Sequence, residues 1–160
     1  MACDNVRSLE NVGAIFRLCD AARVERLYLC GITGHPSYPG DHRPPWVSER
    51  AGRVLAKTAI RTIDQVPWEY RPSTADLVRE LKDQGIQIVA LEQTARSLDY
   101  RTAPYRFPLC VVLGHEREGV ADPVLDLIDL AVEIPMYGAG TSLNVAMAFG
   151  IWVYEVLGRV

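Results

Sequence analysis

Apolar positions recur along this chain in two alternating rhythms. In NVGAIFRLCDAA (11–22), Val12, Ile15, Phe16, Cys19 and Ala22 share one side at helical spacing, which predicts a helix. RLYLCGI (26–32) is a short β-rich run that closes on Gly31 and Gly34 and predicts a strand. The stretch after it, GHPSYPGDHRPPW, is expected to be a loop in which Pro44-Pro45 rules out regular structure. A helix is predicted over 48–59 and a short strand over 59–66. STADLVRELKDQG (73–85) predicts a helix with Ser73 as N-cap and Gly85 just past its end. Strands are predicted at 86–94, 109–114 and 130–136, with a short helix at 122–129. The last helix is predicted over 141–158, with Leu143, Ala146, Met147, Gly150, Tyr154 and Leu157 on one stripe.

Strands alternating with helices predict an α/β fold whose sheet is mainly parallel and flanked by helices. With no repeat, low-complexity tract or linker in view, residues 1–160 are expected to form one domain. Hydrophobic residues make up 49% of the chain, enough for a substantial core. No apolar run approaches the roughly 20 residues that span a bilayer, so no membrane partner is expected. The opening MACDNVRSLEN lacks a basic stretch ahead of an apolar one, so no signal peptide is expected. Cys3, Cys19, Cys30 and Cys110 are widely spaced, which suits reduced thiols in a cytoplasmic protein. His35, His42 and His115 show no ligand spacing with them, so no metal is expected.

A net charge of −3 and a pI near 5.6 do not describe a general polyanion binder. Any such site must be local. Between His35 and Arg61 the chain carries His42, Arg43, Arg50, Arg53 and Lys57 against only Asp41 and Glu49. This is either a polyanion patch or a solvated basic face.

Familiar nucleotide motifs fail here. GHEREG (114–119) has the two glycines of a phosphate loop, but Val120 stands where lysine is required. GAGTSL (138–143) lacks the third glycine of a dinucleotide fingerprint and has no βαβ unit after it. Ser142 lies in no nucleophile elbow and reads equally well as a helix cap. What remains is three segments beside strand ends: ENVGAIFR, LGHEREG and IPMYGAGTSLN. Arg17 lies about 140° from the centre of its helix's apolar face and points to solvent or a ligand. The loops at 114–119 and 135–142 are expected to end neighbouring strands and to offer backbone groups to a flat, mostly apolar ligand.

In this order the segments resemble the SpoU/TrmH family of the SPOUT superfamily. The likeness is carried by Asn11-Val12-Gly13 with Arg17, by Leu113-Gly114-His115-Glu116 with Gly119, and by Ile134-Pro135-Met136 with Ser142-Leu143-Asn144-Val145. IVALEQTARSLDY (88–100) resembles the strand and loop before the second motif. The resemblance implies an S-adenosyl-L-methionine-dependent 2′-O-methyltransferase acting on tRNA or rRNA, with the deep C-terminal trefoil knot of the α/β-knot fold. It places the cofactor among the loops at 91–94, 114–119 and 134–143, against Leu91, Gly114, Ile134, Met136, Ser142 and Leu143, with Gly138 and Gly140 allowing a tight turn. It implies catalytic roles for Arg17, Asn11, Glu116, Ser142 and Asn144. Ser142 and Asn144 would orient the ribose, Asn11 would hold the arginine or a phosphate, and Glu116 would fix its loop. Arg17 is either base or electrostatic stabiliser, contributed from its own subunit or from the partner of a homodimer. The bland alternatives are an N-cap at Asn11, a cap at Glu116 and a surface charge at Arg17.

Two departures from the family pattern stand out. The first strand must be short or frayed, because only MAC precedes Asp4. No RNA-binding extension is visible, which resembles the minimal members whose dimer holds the RNA. Two other function classes stay open: an inactive RNA-binding or assembly protein of the same fold, and a nucleotide-dependent oxidoreductase.

Overall fold

The computed structural model describes residues 1–159. The elements follow as β1 (Ala2–Asp4), α1 (Leu9–Ala21), β2 (Leu27–Cys30), α2 (Pro45–Ala59), β3 (Trp68–Arg71), α3 (Thr74–Asp83), β4 (Gln87–Leu91), β5 (Leu98–Asp99), β6 (Leu109–Leu113), α4 (Asp122–Leu125), β7 (Leu130–Glu133) and α5 (Val145–Leu157). The strands make one sheet in the order β3-β2-β1-β6-β4-β7-β5, every pair parallel. The predicted α/β class with a parallel sheet is what forms.

A parallel sheet is covered on both faces, which is why its central strands are unbroken apolar runs. Alternate residues serve opposite sides. Cys3, Leu29, Val111 and Leu113 pack with Val12, Ile15 and Phe16 of α1, Leu55 of α2 and Phe149 and Trp152 of α5. Ala2, Cys30, Cys110 and Val112 pack with Leu77, Val78 and Leu81 of α3 and Val124 of α4. All five apolar positions predicted for the first helix are buried. Ser73 caps α3 by accepting from the Asp76 N–H, and Gly85 follows with a positive φ of 78°, as predicted.

Several expectations are corrected. α2 begins at Pro45, inside the stretch expected to be irregular, because proline at a helix's first position has the right φ and needs no donor. The strand expected at 59–66 is instead a tight turn through Thr62–Asp64, reversed by positive φ at Ile60 and Arg61. β3 was not predicted: WEYR alternates apolar Trp68 and Tyr70 with charged Glu69 and Arg71, but it is only four residues long, half-buried at the sheet's edge, and directly follows Pro67. β5 is two residues long, too short for any periodicity. α4 stops at Leu125 and β7 at Glu133. α5 starts at Val145, capped by Asn144 and not by Ser142. Its buried face carries Ala146, Phe149, Trp152, Val153 and Val156, whereas Leu143, Met147, Tyr154 and Leu157 of the predicted stripe are exposed. A helix apolar all round has no periodicity to choose its inner face. β1 is short but not frayed: Ala2 and Cys3 pair with both β2 and β6, and all three of its residues are buried.

The last residue of β1 holds two helices in place. Asp4 is 1% exposed and accepts from the Thr74 hydroxyl at 2.6 Å, the Asn5 amide at 3.0 Å and the Ala121 N–H at 2.9 Å. It therefore ties the starts of α3 and α4 to the centre of the sheet. Asp4→Ala leaves the buried Thr74 hydroxyl and the half-buried Ala121 N–H without partners and should lower stability by about 3 kcal/mol in denaturant unfolding. Asp4→Asn, which keeps an acceptor, should recover part of that loss.

All four cysteines are free and buried. Burial pushes the Cys19 and Cys30 thiols up to about 12, so neither is a thiolate at neutral pH. Among the described residues no helix is long and apolar enough to cross a membrane, and no group of His, Cys, Asp or Glu could hold a metal ion.

Candidate active site

The carboxyl ends of β4, β6 and β7 open onto one cleft of about 590 Å³. The segments at 114–119 and 135–142 do not end neighbouring strands as expected, because β4 lies between β6 and β7. Three strand ends frame the cleft instead of two. Its apolar lining comes from Leu91, Leu113, Ile134, Met136, Leu143 and Val145, and its polar lining from Glu92, Gln93, Thr141, Ser142 and Asn144 among others.

Past β6 the chain folds back on itself in a tight loop. His115 and Gly119 exchange two backbone hydrogen bonds at 2.9 Å. A Cβ on Gly114 would lie 2.1 Å from the carbonyl carbon of Gly119 and the nitrogen of Val120, so only glycine allows this closure. Gly119 has φ of 73°, and a Cβ there would strike the Glu92 carboxylate. Glu92 needs that space because it accepts from the Val120 N–H at 3.0 Å and the Gln93 N–H at 2.9 Å. Gln93 in turn donates to the Thr141 carbonyl at 3.0 Å, joining the β4 side to the 134–144 segment. Inside the loop, His115 Nδ1 accepts from the Arg117 and Glu118 N–H groups, which pins the ring over the turn.

A chain of polar contacts joins all three motif segments. Glu116 accepts from the Arg7 and Ser8 backbone N–H groups and from the Asn11 amide, each at 2.9 Å. Asn11 Oδ1 then accepts from Asn144 Nδ2 at 2.8 Å. Asn144 Oδ1 finishes the chain by accepting from the Ala146 and Met147 N–H groups at the start of α5. Burial alone would raise the Glu116 carboxyl, but the three donors outweigh it and hold the group below its ordinary range.

That shift has a sign that can be checked. A depressed carboxyl contributes stability above its unfolded value, near pH 4.3, and loses it as pH falls through the folded value. Glu116→Gln should therefore melt below wild type at pH 7, and the gap in Tm should close as the pH falls below about 4.

The structure gathers Leu91, Gly114, Glu116, Ile134, Met136, Ser142, Leu143 and Asn144 around the cleft. Asn11 reaches it through Glu116 and Asn144, and it does not hold Arg17. Nor is Asn11 the N-cap of its helix, a position taken by Ser8. Arg17 is exposed on α1 and does not line this cleft. Gly138 and Gly140 have no positive φ and leave room for a side chain, so neither is required for a tight turn. Sequence reasoning placed the 91–94 loop at the site without singling out Glu92 and Gln93, and it missed Asp4. The signal for all three was a polar residue at, or just past, the carboxyl end of a strand.

The SpoU rRNA Methylase family profile matches residues 1–154. The chain belongs to this SpoU family. It is 31% identical over 152 residues to the tRNA (guanosine(18)-2'-O)-methyltransferase of Escherichia coli, covering 95% of this chain and 59% of that one. The chain thus spans about three fifths of that relative's length. Among solved structures, the Aquifex aeolicus TrmH/SpoU tRNA modifying enzyme aligns with a TM-score of 0.81 at 30% identity, covering 99% of this chain and 73% of that one. An AdoMet-bound rRNA methyltransferase from Sinorhizobium meliloti aligns with a TM-score of 0.79 at 29% identity, covering 99% and 55%. In this SpoU chain the motif glycine Gly13 has a packing reason. A Cβ there would lie 1.8 Å from the Thr58 hydroxyl, so only glycine lets α2 approach α1 this closely.

Proposed function

We propose that the chain is an S-adenosylmethionine-dependent methyltransferase acting on a ribose 2′-hydroxyl of tRNA or rRNA. The observation that carries this reading is the cleft at three strand ends, tied by the Glu116–Asn11–Asn144 contacts to the helix that bears Arg17. The donor set suits the cofactor. Leu91, Leu113, Ile134 and Leu143 offer an apolar slot for a flat base, while Glu92, Gln93, Thr141 and Ser142 offer partners for hydroxyl, amino and carboxylate groups. At about 590 Å³ the cleft is also of ordinary size for such a ligand. Bound there, S-adenosylmethionine supplies an electrophilic methyl group.

The chain's own residues do the rest. Glu116 is an anchor and not a proton acceptor, because its oxygens are already committed to three donors. Asn144 holds the start of α5, and Ser142, exposed two residues earlier, orients the ribose. A guanidinium does not serve as the base, so Arg17 binds phosphate and stabilises the developing alkoxide, while the hydroxyl's proton passes to solvent water. The exposure of Arg17, away from the cleft of its own chain, supports its service to a partner subunit. The apolar stripe of Met147, Ile151 and Tyr154 left open on α5 supports a homodimer through that helix. The knot of the family belongs to the same reading. Its support is the return of the chain from β7, near one edge of the sheet, to pack α5 against α1.

Calorimetric titration with S-adenosylmethionine, followed by transfer of labelled methyl to tRNA and rRNA, tests the proposal. Micromolar cofactor binding and alkali-resistant label in the RNA are expected. Binding without transfer to any RNA would favour an inactive RNA-binding relative, and no cofactor binding would overturn the reading.

A further inference from the structure

A second cleft, of about 730 Å³, opens at the carboxyl ends of β2 and β3. Its floor is the turn at 31–34 and Tyr70, and its walls are the 35–43 loop and the first turns of α2. The loop wall is firmly held. His35 and Tyr70 have ring centroids 4.5 Å apart, with Tyr38 and Trp68 against them. Arg43 donates to both Asp41 oxygens and to the carbonyls of His35 and Pro36. Among the described residues Asp41 is the only acid lining the cleft, and this pair neutralises it.

What the fold leaves open is an aromatic face beside two guanidinium groups. Trp46 is 68% exposed and Ile32 67% exposed, and Arg7 and Arg50 are exposed around them, with the His42 ring close by. A large indole held open on the first turn of a helix contributes little to folding. Beside guanidinium groups it is a surface for a base to stack on while its phosphate is met by charge. Position adds a second argument. Arg7 lines this cleft, yet its backbone N–H donates to Glu116 of the first. One residue is therefore the wall between the two clefts.

We propose that the second cleft takes an unpaired nucleotide of the RNA strand next to the ribose being methylated, with its base on Trp46 and its phosphate on Arg7 and Arg50. Adjacency to the methylated ribose rests on the methyltransferase reading; the nucleotide site itself does not.

The test is titration of the protein with a five-nucleotide single-stranded RNA, read by tryptophan emission and by anisotropy of a labelled strand. Of the three tryptophans, Trp152 is buried and Trp68 lies in the aromatic block, so the exposed Trp46 should report. Quenching is expected in the wild type and should vanish in Trp46→Phe, which keeps a stacking face and most of the affinity. Trp46→Ala and Arg50→Ala should each weaken binding by about tenfold, with cofactor affinity unchanged. Equal affinities in wild type and both alanine variants would overturn the proposal. So would displacement of the strand by polyglutamate of equal charge with no change in Trp46 emission, which would make the patch a generic acidic-peptide surface. The two readings fail separately. A Trp46-dependent RNA complex without methyl transfer removes the enzyme and keeps the nucleotide site. Methyl transfer with undisturbed affinities in the alanine variants does the reverse.

Discussion

Arg17→Ala is expected to slow RNA methyl transfer by about 10²- to 10³-fold while S-adenosylmethionine binds as tightly as before. The separation follows from position. Arg17 projects from the exposed side of α1, and none of the cleft lining depends on it. On the proposed role, its removal takes a fixed positive charge from the transition state and leaves the cofactor's contacts in place. Single-turnover transfer beside calorimetry measures both halves. Arg17→Lys should recover only part of the rate, because an ammonium lacks the planar fork that holds a phosphate. A parallel loss of cofactor affinity in Arg17→Ala would show that the residue belongs to the cofactor pocket, and the assigned role would fall.

Gly114→Ala should act in the opposite way, through the cofactor and the fold together. The new methyl group meets backbone atoms of Gly119 and Val120 at 2.1 Å, and backbone cannot swing aside as a long side chain does. The paired hydrogen bonds between His115 and Gly119 would have to open, and Glu116 would be drawn off the Arg7 and Ser8 N–H groups. We expect a stability loss of about 3 kcal/mol from overpacking. Misplacing the loop by about an ångström should weaken S-adenosylmethionine about 100-fold. Gly138→Ala is the matched control, since nothing lies within 4 Å of its new methyl group. If Gly114→Ala bound the cofactor normally, the 114–119 loop would not be part of the pocket.

The legible parts of this fold are those where one physical pattern acts alone. Buried parallel strands read as apolar runs, so β4, β6 and β7 were visible, and the one-sided apolar face of α1 was visible for the same reason. Elements whose residues answer to two environments were not. The half-exposed WEYR of β3 alternates over four residues only, too few to stand out, and α5 is apolar on the side that packs and on the side that does not. At the site, the motif residues could be named because they fall in a family order, but their partners could not. That Glu116 accepts from Arg7, Ser8 and Asn11 is a contact across more than a hundred residues of chain, which local spacing does not encode. The strand order hid for the same reason: nothing local tells β4 to lie between β6 and β7.

The placement of β1 has a consequence for how the chain is made. Its three residues gain one neighbour early, from β2 at Tyr28 to Cys30, but the other is β6, at Val112 and Leu113. A ribosome must add about eighty residues between those two events, from Cys30 to Val112. Throughout that interval the nascent sheet shows a bare, apolar edge at what will become its centre, the kind of edge that recruits strands from other chains. Pairing across so long a separation also makes closure slow. Synthesis of this protein should therefore be most vulnerable to aggregation before residue 113 leaves the exit tunnel, and a chaperone that shields the β1 edge would act in that window.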